Sequence, residues 1–182
     1  MEKNTIFKEL NINDINSNLL DSFNRLQEVK RFYKKVDGNW IINDTNYTVD
    51  WTYWKKKELI ADFVNALNSG GNVIGAFENE EMIGFAVLLK EETGKNEQII
   101  ELKYMYVSLK YRHKGIGKRL FKLCIEKAIE KGVEKIRILV DDPEETQRFF
   151  LGLGFTDVKE EKKKELEKNR NNREMEYEIK KV

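Results

Sequence analysis

The segment Arg112-His113-Lys114-Gly115-Ile116-Gly117-Lys118 gathers residue types that hold an anion. A run with strand character, Gln98 to Val107, precedes it, and apolar residues at helical spacing follow from about Gly117 to Lys131. The first N–H groups of a helix have no partner within the helix, and the helix dipole makes that end positive. Glycines let a ligand approach the backbone without meeting a Cβ. Arg112, Lys114 and Lys118 add positive charge. The combination is a site for a phosphate or pyrophosphate. The plainer alternative is a tight turn with its lysines in solvent. Two phosphate motifs fail here. The third glycine and the acidic residue of the dinucleotide fingerprint are missing, and no Gly-Lys-Ser/Thr follows as a triphosphate loop requires.

Other chemistry-bearing residues are few. Glu101 is a carboxylate on the strand that leads to the loop, and Asp50 is a second acid to weigh. His113 is the only histidine and Cys124 the only cysteine, so neither an intrachain disulfide nor a thiolate metal site is available, and no metal is expected. Cys124 falls on an apolar helix face, where a buried structural cysteine is the common case. His113 either touches a phosphate or faces water. Trp40, Tyr47, Trp51, Tyr53 and Trp54 form an aromatic group that serves either the core or the wall of a ligand pocket, where such rings attract a cation.

The elements that must position these residues are legible along the chain. Thr5 to Leu10 is a weak first strand. Asn13 to Lys35 has helical spacing through Leu19, Leu20, Phe23, Leu26, Val29 and Phe32, and Asp37-Gly38-Asn39 marks a turn. Trp40 to Trp54 reads as irregular, and Lys55 to Leu67 as a helix stopped by Ser69-Gly70-Gly71. Val73–Phe77 and Met82–Leu89 read as a β-hairpin. After the glycine helix come a strand over Ile136–Val140 and a helix with Asp142 at its N-cap and Pro143 at its first position. Phe155–Lys159 and Met175–Ile179 read as last strands, joined by a charge run, Glu160 to Arg173, that suits a solvated loop. This is an α/β (α+β) arrangement around one mixed, mainly antiparallel sheet. With 182 residues, it suits a single domain, 1–182.

Composition excludes other classes. The 33 basic and 32 acidic side chains nearly cancel, so no global field for nucleic acid exists. No signal peptide or membrane span is visible, and the single cysteine suits a reducing compartment, so a cytoplasmic protein is expected.

The segment Leu102–Leu123, "LKYMYVSLKYRHKGIGKRLFKL", resembles the coenzyme A-binding motif of the GNAT N-acetyltransferase superfamily. The segment Glu145–Phe155, "ETQRFFLGLGF", resembles that family's next motif, and "VIGAFENEEMIGFAVL" its preceding hairpin. The resemblance implies an acetyltransferase fold in which two strands splay apart to hold acetyl-CoA as a cosubstrate. It also implies a division of the chain into a variable helical part, 1–70, and a cofactor-binding core, 71–182. It implies that backbone groups of Met105, Tyr106 and Val107 hold the thioester and pantetheine arm. It places the pyrophosphate on the amides of Arg112, His113, Lys114, Gly115, Ile116, Gly117 and Lys118. Glu101 stands where one branch of the family has its general base. An alkylamine with a pKa near ~10.4 is neutral in about one part in a thousand at pH 7, so such a base has work to do. The implied acceptor is a primary amine on a small molecule, peptide or protein, with Trp51 and Trp54 as candidate contacts. A homodimer through the C-terminal strands is the expected assembly, if any. Two positions depart from the pattern: Phe150 replaces a tyrosine that reprotonates the leaving thiolate, and Pro143 replaces an asparagine. They motivate an alternative, an acetyl-CoA-binding sensor with little or no turnover.

Overall fold

The computed structural model describes residues 5–90, 92–93, 98–159 and 172–179. Its elements run β1 (Ile6–Leu10), β2 (Gln27–Val36), β3 (Asn39–Val49), α1 (Tyr53–Asn68), β4 (Asn72–Glu78), β5 (Glu81–Leu88), β6 (Glu92–Thr93), β7 (Gln98–Val107), α2 (Ile116–Glu130), β8 (Lys135–Val140), α3 (Glu144–Leu153), β9 (Thr156–Asp157) and β10 (Arg173–Glu178). Short 3-10 turns fall at Ile12–Asp14 and Leu109–Tyr111.

The main sheet has the order β1-β4-β5-β7-β8-β10-β9, with β6 also pairing β7. All pairs are antiparallel except β7 with β8, which run parallel. A parallel neighbour needs a crossover, and α2 provides it. Each face of the sheet buries its own cluster. On one face Ile100, Leu102, Ile136 and Ile138 pack under α2 through Leu120, Phe121 and Cys124. On the other, Val73, Phe85 and Val87 meet Leu59 and Phe63 of α1, with Leu20 and Phe23. Burial pushes the Cys124 thiol up to about 12, as an apolar structural cysteine requires.

The elements expected from Val73 to the glycine helix and the following strand are present at close to their expected bounds. The strand expected over Phe155–Lys159 shortens to Thr156–Asp157, and the last one begins two residues early, at Arg173. The N-terminal part differs. No helix spans Asn13 to Lys35, and Trp40 to Val49 is not irregular: β2 and β3 form a separate two-stranded sheet. The cause lies in the turn. Asp37 (φ 47°) and Gly38 (φ 82°) are both left-handed, the two-residue hairpin geometry that matches strand twist. From Gln27 on, buried and exposed residues alternate first in strand fashion, and Val29 is buried between exposed neighbours. Pairing with β3 therefore outweighs the helical spacing of the apolar residues.

The start of α3 also shifts by one residue. Pro143 is extended (ψ 130°) and takes the cap position, while Asp142 caps nothing. Backbone pairing explains this: Phe32 of β2 bridges Pro143, and Tyr33 N–H donates to the Asp142 carbonyl at 2.9 Å. The hairpin thereby lies along α3, with Arg31 Nε 2.6 Å from Glu144. Most of the charge run between β9 and β10, residues 160–171, lies outside the described residues.

Candidate functional site

Strands β7 and β8 pair at only three positions, Ile99–Lys135, Ile100–Ile136 and Glu101–Arg137. Beyond Glu101 they part. A bulge accompanies the parting: Leu88 faces Leu102 and Val87 faces Tyr104, so Lys103 is an extra residue. Such a bulge bends its strand and increases the local twist. The gap is a cavity of about 590 Å³ walled by Lys103 to Val107 on one side and Ile138 to Asp141 on the other. Ser108 N–H donates to Ile83 of the β5 edge at 2.9 Å. Peptide groups alternate along a strand, so those of Met105 and Val107 face away from β5 and toward the gap.

The cavity ends at the start of α2. Arg119 N–H donates to the Gly115 carbonyl, the first helical bond, and this leaves the amides of Ile116, Gly117 and Lys118 without helical partners. His113 (φ 59°) and Gly115 (φ 82°) are left-handed and turn the chain into the helix. A Cβ on Gly115 would meet open space, whereas one on Gly117 would lie 2.9 Å from Phe149 Cζ. Gly115 thus serves the turn, and Gly117 lets α2 close on α3. Tyr111 fixes the loop from below, its buried hydroxyl donating to Glu78 at 2.7 Å.

The structure brings together Met105, Tyr106, Val107, Arg112, His113, Gly115, Gly117 and Lys118 around the cavity. It distributes the other candidates differently. Ile116 is buried against the α2 face of the sheet, and Lys114 lies over the Tyr111 ring at 5.4 Å. Arg112 is not a mobile charge. Its Nε donates to the Val107 carbonyl at 3.0 Å and a terminal nitrogen to the Arg25 carbonyl at 2.9 Å, so it ties the N-terminal segment to the end of β7. Burial and the Arg25 charge push its pKa down, against Glu145. His113 is largely exposed, with Nε2 3.3 Å from Glu145. Glu101 is half-buried at the last position where β7 pairs with β8, at the apex where those two strands part, while the cavity wall begins two residues on. Trp51 stacks on Phe23 at 5.4 Å and meets Tyr106 edge-on at 4.9 Å, behind the wall. Trp54 is 77% exposed and packs only on Tyr53 among the aromatic residues.

Three wall residues lie in no sequence motif, Arg25, Gln27 and Asp141, whereas Glu145 and Thr146 open the Glu145–Phe155 segment. Gln27 Nε2 lies 3.4 Å from Thr146 Oγ1, which joins the base of the β2–β3 hairpin to α3. Burial pushes the Asp141 carboxyl up; the Arg25 charge opposes this and Asp142 adds to it. Beside Asp141, the Asp142-Pro143-Glu144-Glu145 run is a sequence signal, and it reads first as a helix start. Phe150 is buried at the wall and brings no hydroxyl. Nearby tyrosines are poor proton donors. Burial and the 2.6 Å bond to Asp62 push Tyr104 well above its ordinary value. Burial and Asp141 raise Tyr106, against Arg25.

A cleft between splayed parallel strands, ending at a glycine-turned helix start, fits a long ligand with a pyrophosphate. The family model described as acetyltransferase (GNAT) family matches residues 39–155, more than half of the chain. The chain belongs to the GNAT acetyltransferase family. No curated protein sequence matches it. Among solved structures it is similar to nourseothricin acetyltransferase, at 13% identity and a TM-score of 0.70, over 97% of this chain and 99% of that one. The PaiA N-acetyltransferase of Thermoplasma acidophilum in complex with coenzyme A is 26% identical, with a TM-score of 0.52, over 69% of this chain and 72% of that one. A GNAT family acetyltransferase from Elizabethkingia anophelis with acetyl-CoA bound is 20% identical, with a TM-score of 0.55, over 98% of this chain and 100% of that one. These likenesses agree with the α/β fold and mixed sheet described above.

Proposed function

We propose that this GNAT protein is an N-acetyltransferase that transfers the acetyl group of acetyl-CoA directly to a primary amine. The observation that carries this is the parting of β7 from β8 after Glu101, which opens peptide groups of Met105 and Val107 toward a cleft ending at α2. Acetyl-CoA supplies an activated acetyl thioester. The Met105 peptide N–H is an oxyanion donor, fixed by the strand and costing no rearrangement as charge develops. Val107 contributes less than the resemblance implies, because its carbonyl already accepts from Arg112. The amides of Ile116, Gly117 and Lys118 hold pyrophosphate oxygens at the helix start. Glu101, at the apex of the cleft, takes the proton from the incoming ammonium through water. Solvent returns a proton to the thiolate, since Phe150 has none and Tyr104 holds its own tightly.

The test is release of free thiol from acetyl-CoA with a panel of primary amines. Turnover with wild type and its loss in Glu101→Gln, with acetyl-CoA affinity kept, supports the reading. Tight acetyl-CoA binding without turnover on any amine supports the sensor alternative, which the buried Phe150 favours.

A further inference from the structure

Arg25 is 6% exposed and lines the cleft, where the Asp141 carboxyl feels its charge but makes no ion pair with it within 4.0 Å. Its guanidinium lies 5.0 Å from the centre of the Tyr106 ring and 6.0 Å from that of Trp51. One terminal nitrogen donates to Gln27 Oε1 at 2.8 Å. Its Nε is buried with no hydrogen-bond partner, and among the described residues no ion pair forms to it within 4.0 Å. A buried cation in this condition is costly unless an anion joins it.

The other cations of the cleft are already engaged. Arg112 holds two carbonyls, Lys103 lies 3.2 Å from Asp62, and Arg148 lies 2.7 Å from Glu144. Lys118 stands at the start of α2, the pyrophosphate end. Arg25 alone lies over Tyr106, the neighbour of Met105, on the face away from α2. We propose that the acceptor amine also carries a carboxylate, and that the Arg25 guanidinium binds it where it lines the cleft. The proposal rests on the acetyl-transfer reading for its placement beside Met105. Guanidinium suits a carboxylate because its N–H groups match two oxygens at once. Asp141 on the facing wall attracts the ammonium end of the same molecule, whose proton then passes through water to Glu101. An amino carboxylate thereby complements both walls, whereas a diamine leaves Arg25 unpaired.

Calorimetric titration of the protein saturated with coenzyme A tests this, with L-ornithine against putrescine and L-alanine against ethylamine. Each amino carboxylate is expected to bind about tenfold tighter or more than its decarboxylated partner. Arg25→Gln should erase that difference, Arg25→Lys should restore part of it, and both should leave coenzyme A affinity within about twofold. Equal or reversed preference in wild type overturns the proposal, as does an absence of binding by all four. So does an Arg25→Gln or Arg25→Lys protein that weakens coenzyme A and leaves the preference intact. If Arg25→Gln melts at the assay temperature, Arg25→Lys decides by whether the preference shrinks. Preference in binding with no thiol release would overturn the transfer reading while keeping the anion site.

Discussion

Replacing Arg112 by methionine separates two roles for the first residue of the glycine loop. The side chain spans from the end of β7 to the segment before β2, with bonds of 3.0 Å to Val107 and 2.9 Å to Arg25. A hydrogen bond involving a charged group contributes about 1.5–3 kcal/mol. The guanidinium is only half-buried, so water replaces part of what is lost, and a net cost of about 2–3 kcal/mol is the reasonable sum. Methionine keeps the apolar stem, which limits the loss to the polar head. For a chain of this size each kcal/mol shifts the melting point by about 2–4 °C, so Tm should fall by roughly 4–12 °C in the ligand-free protein. Lysine cannot reach two carbonyls at once and should rescue less than half of the loss. Differential scanning calorimetry without ligand, followed by acetyl-CoA titration, provides both readouts. A mobile phosphate ligand would behave oppositely, with ligand-free Tm unchanged and acetyl-CoA affinity weakened steeply. That result, or a ligand-free Tm within about 1 °C of wild type, refutes the clamp.

Gly117→Ala should lose stability: helix propensity returns at most about 1 kcal/mol, but the new Cβ meets Phe149 at 2.9 Å and overpacking costs about 1–3 kcal/mol. Because Phe149 lines the cleft, acetyl-CoA affinity should fall with it, as a thermal-shift titration would record. Glu9→Gln should show a pH-dependent cost. Burial raises the Glu9 carboxyl, but hydrogen bonds from Lys127 and Asn72 and the Lys127 and Lys131 charges outweigh it, so its net pKa is lowered. A lowered folded value means the stabilisation is present above the unfolded pKa and lost as pH falls through the folded one. The variant should therefore cost below about 1 kcal/mol at pH 7 after solvent screening and nothing near pH 2; an unchanged gap between the two proteins at both pH values would contradict it. Cys124, fully buried with its thiol pushed up to about 12, should resist a thiol reagent at pH 8 and react only after denaturant is added.

From Val73 onward the sequence is locally consistent. Left-handed turns, alternating strands and a broad apolar helix face all point one way, and Gly115 and Gly154 sit where positive φ is needed. The N-terminal part misleads because Leu19, Leu20, Phe23, Leu26, Val29 and Phe32 fall at helical intervals, although Asp37-Gly38 is itself a hairpin signal. Those residues do not share one helix face. Phe23 packs under Trp51 and Phe85, while Phe32 bridges to Pro143. The glycine-turned start of α2 at the end of the cleft was legible because Gly115 and Gly117 stand between a strand pattern and a helical one. The wall formed by Arg25, Gln27 and Asp141 was not. These three meet only through the packing of the hairpin on α3, a long-range contact with no local pattern.

The central claim is that acetyl-CoA lies between β7 and β8 with its pyrophosphate on the start of α2. Hydrogen exchange read by mass spectrometry, with and without acetyl-CoA, measures this most directly. Binding there predicts slowed exchange at the amides of Met105 and Val107 and from His113 to Lys118, with β4 and α1 unchanged. Protection confined to other segments, or none at saturating ligand, contradicts it.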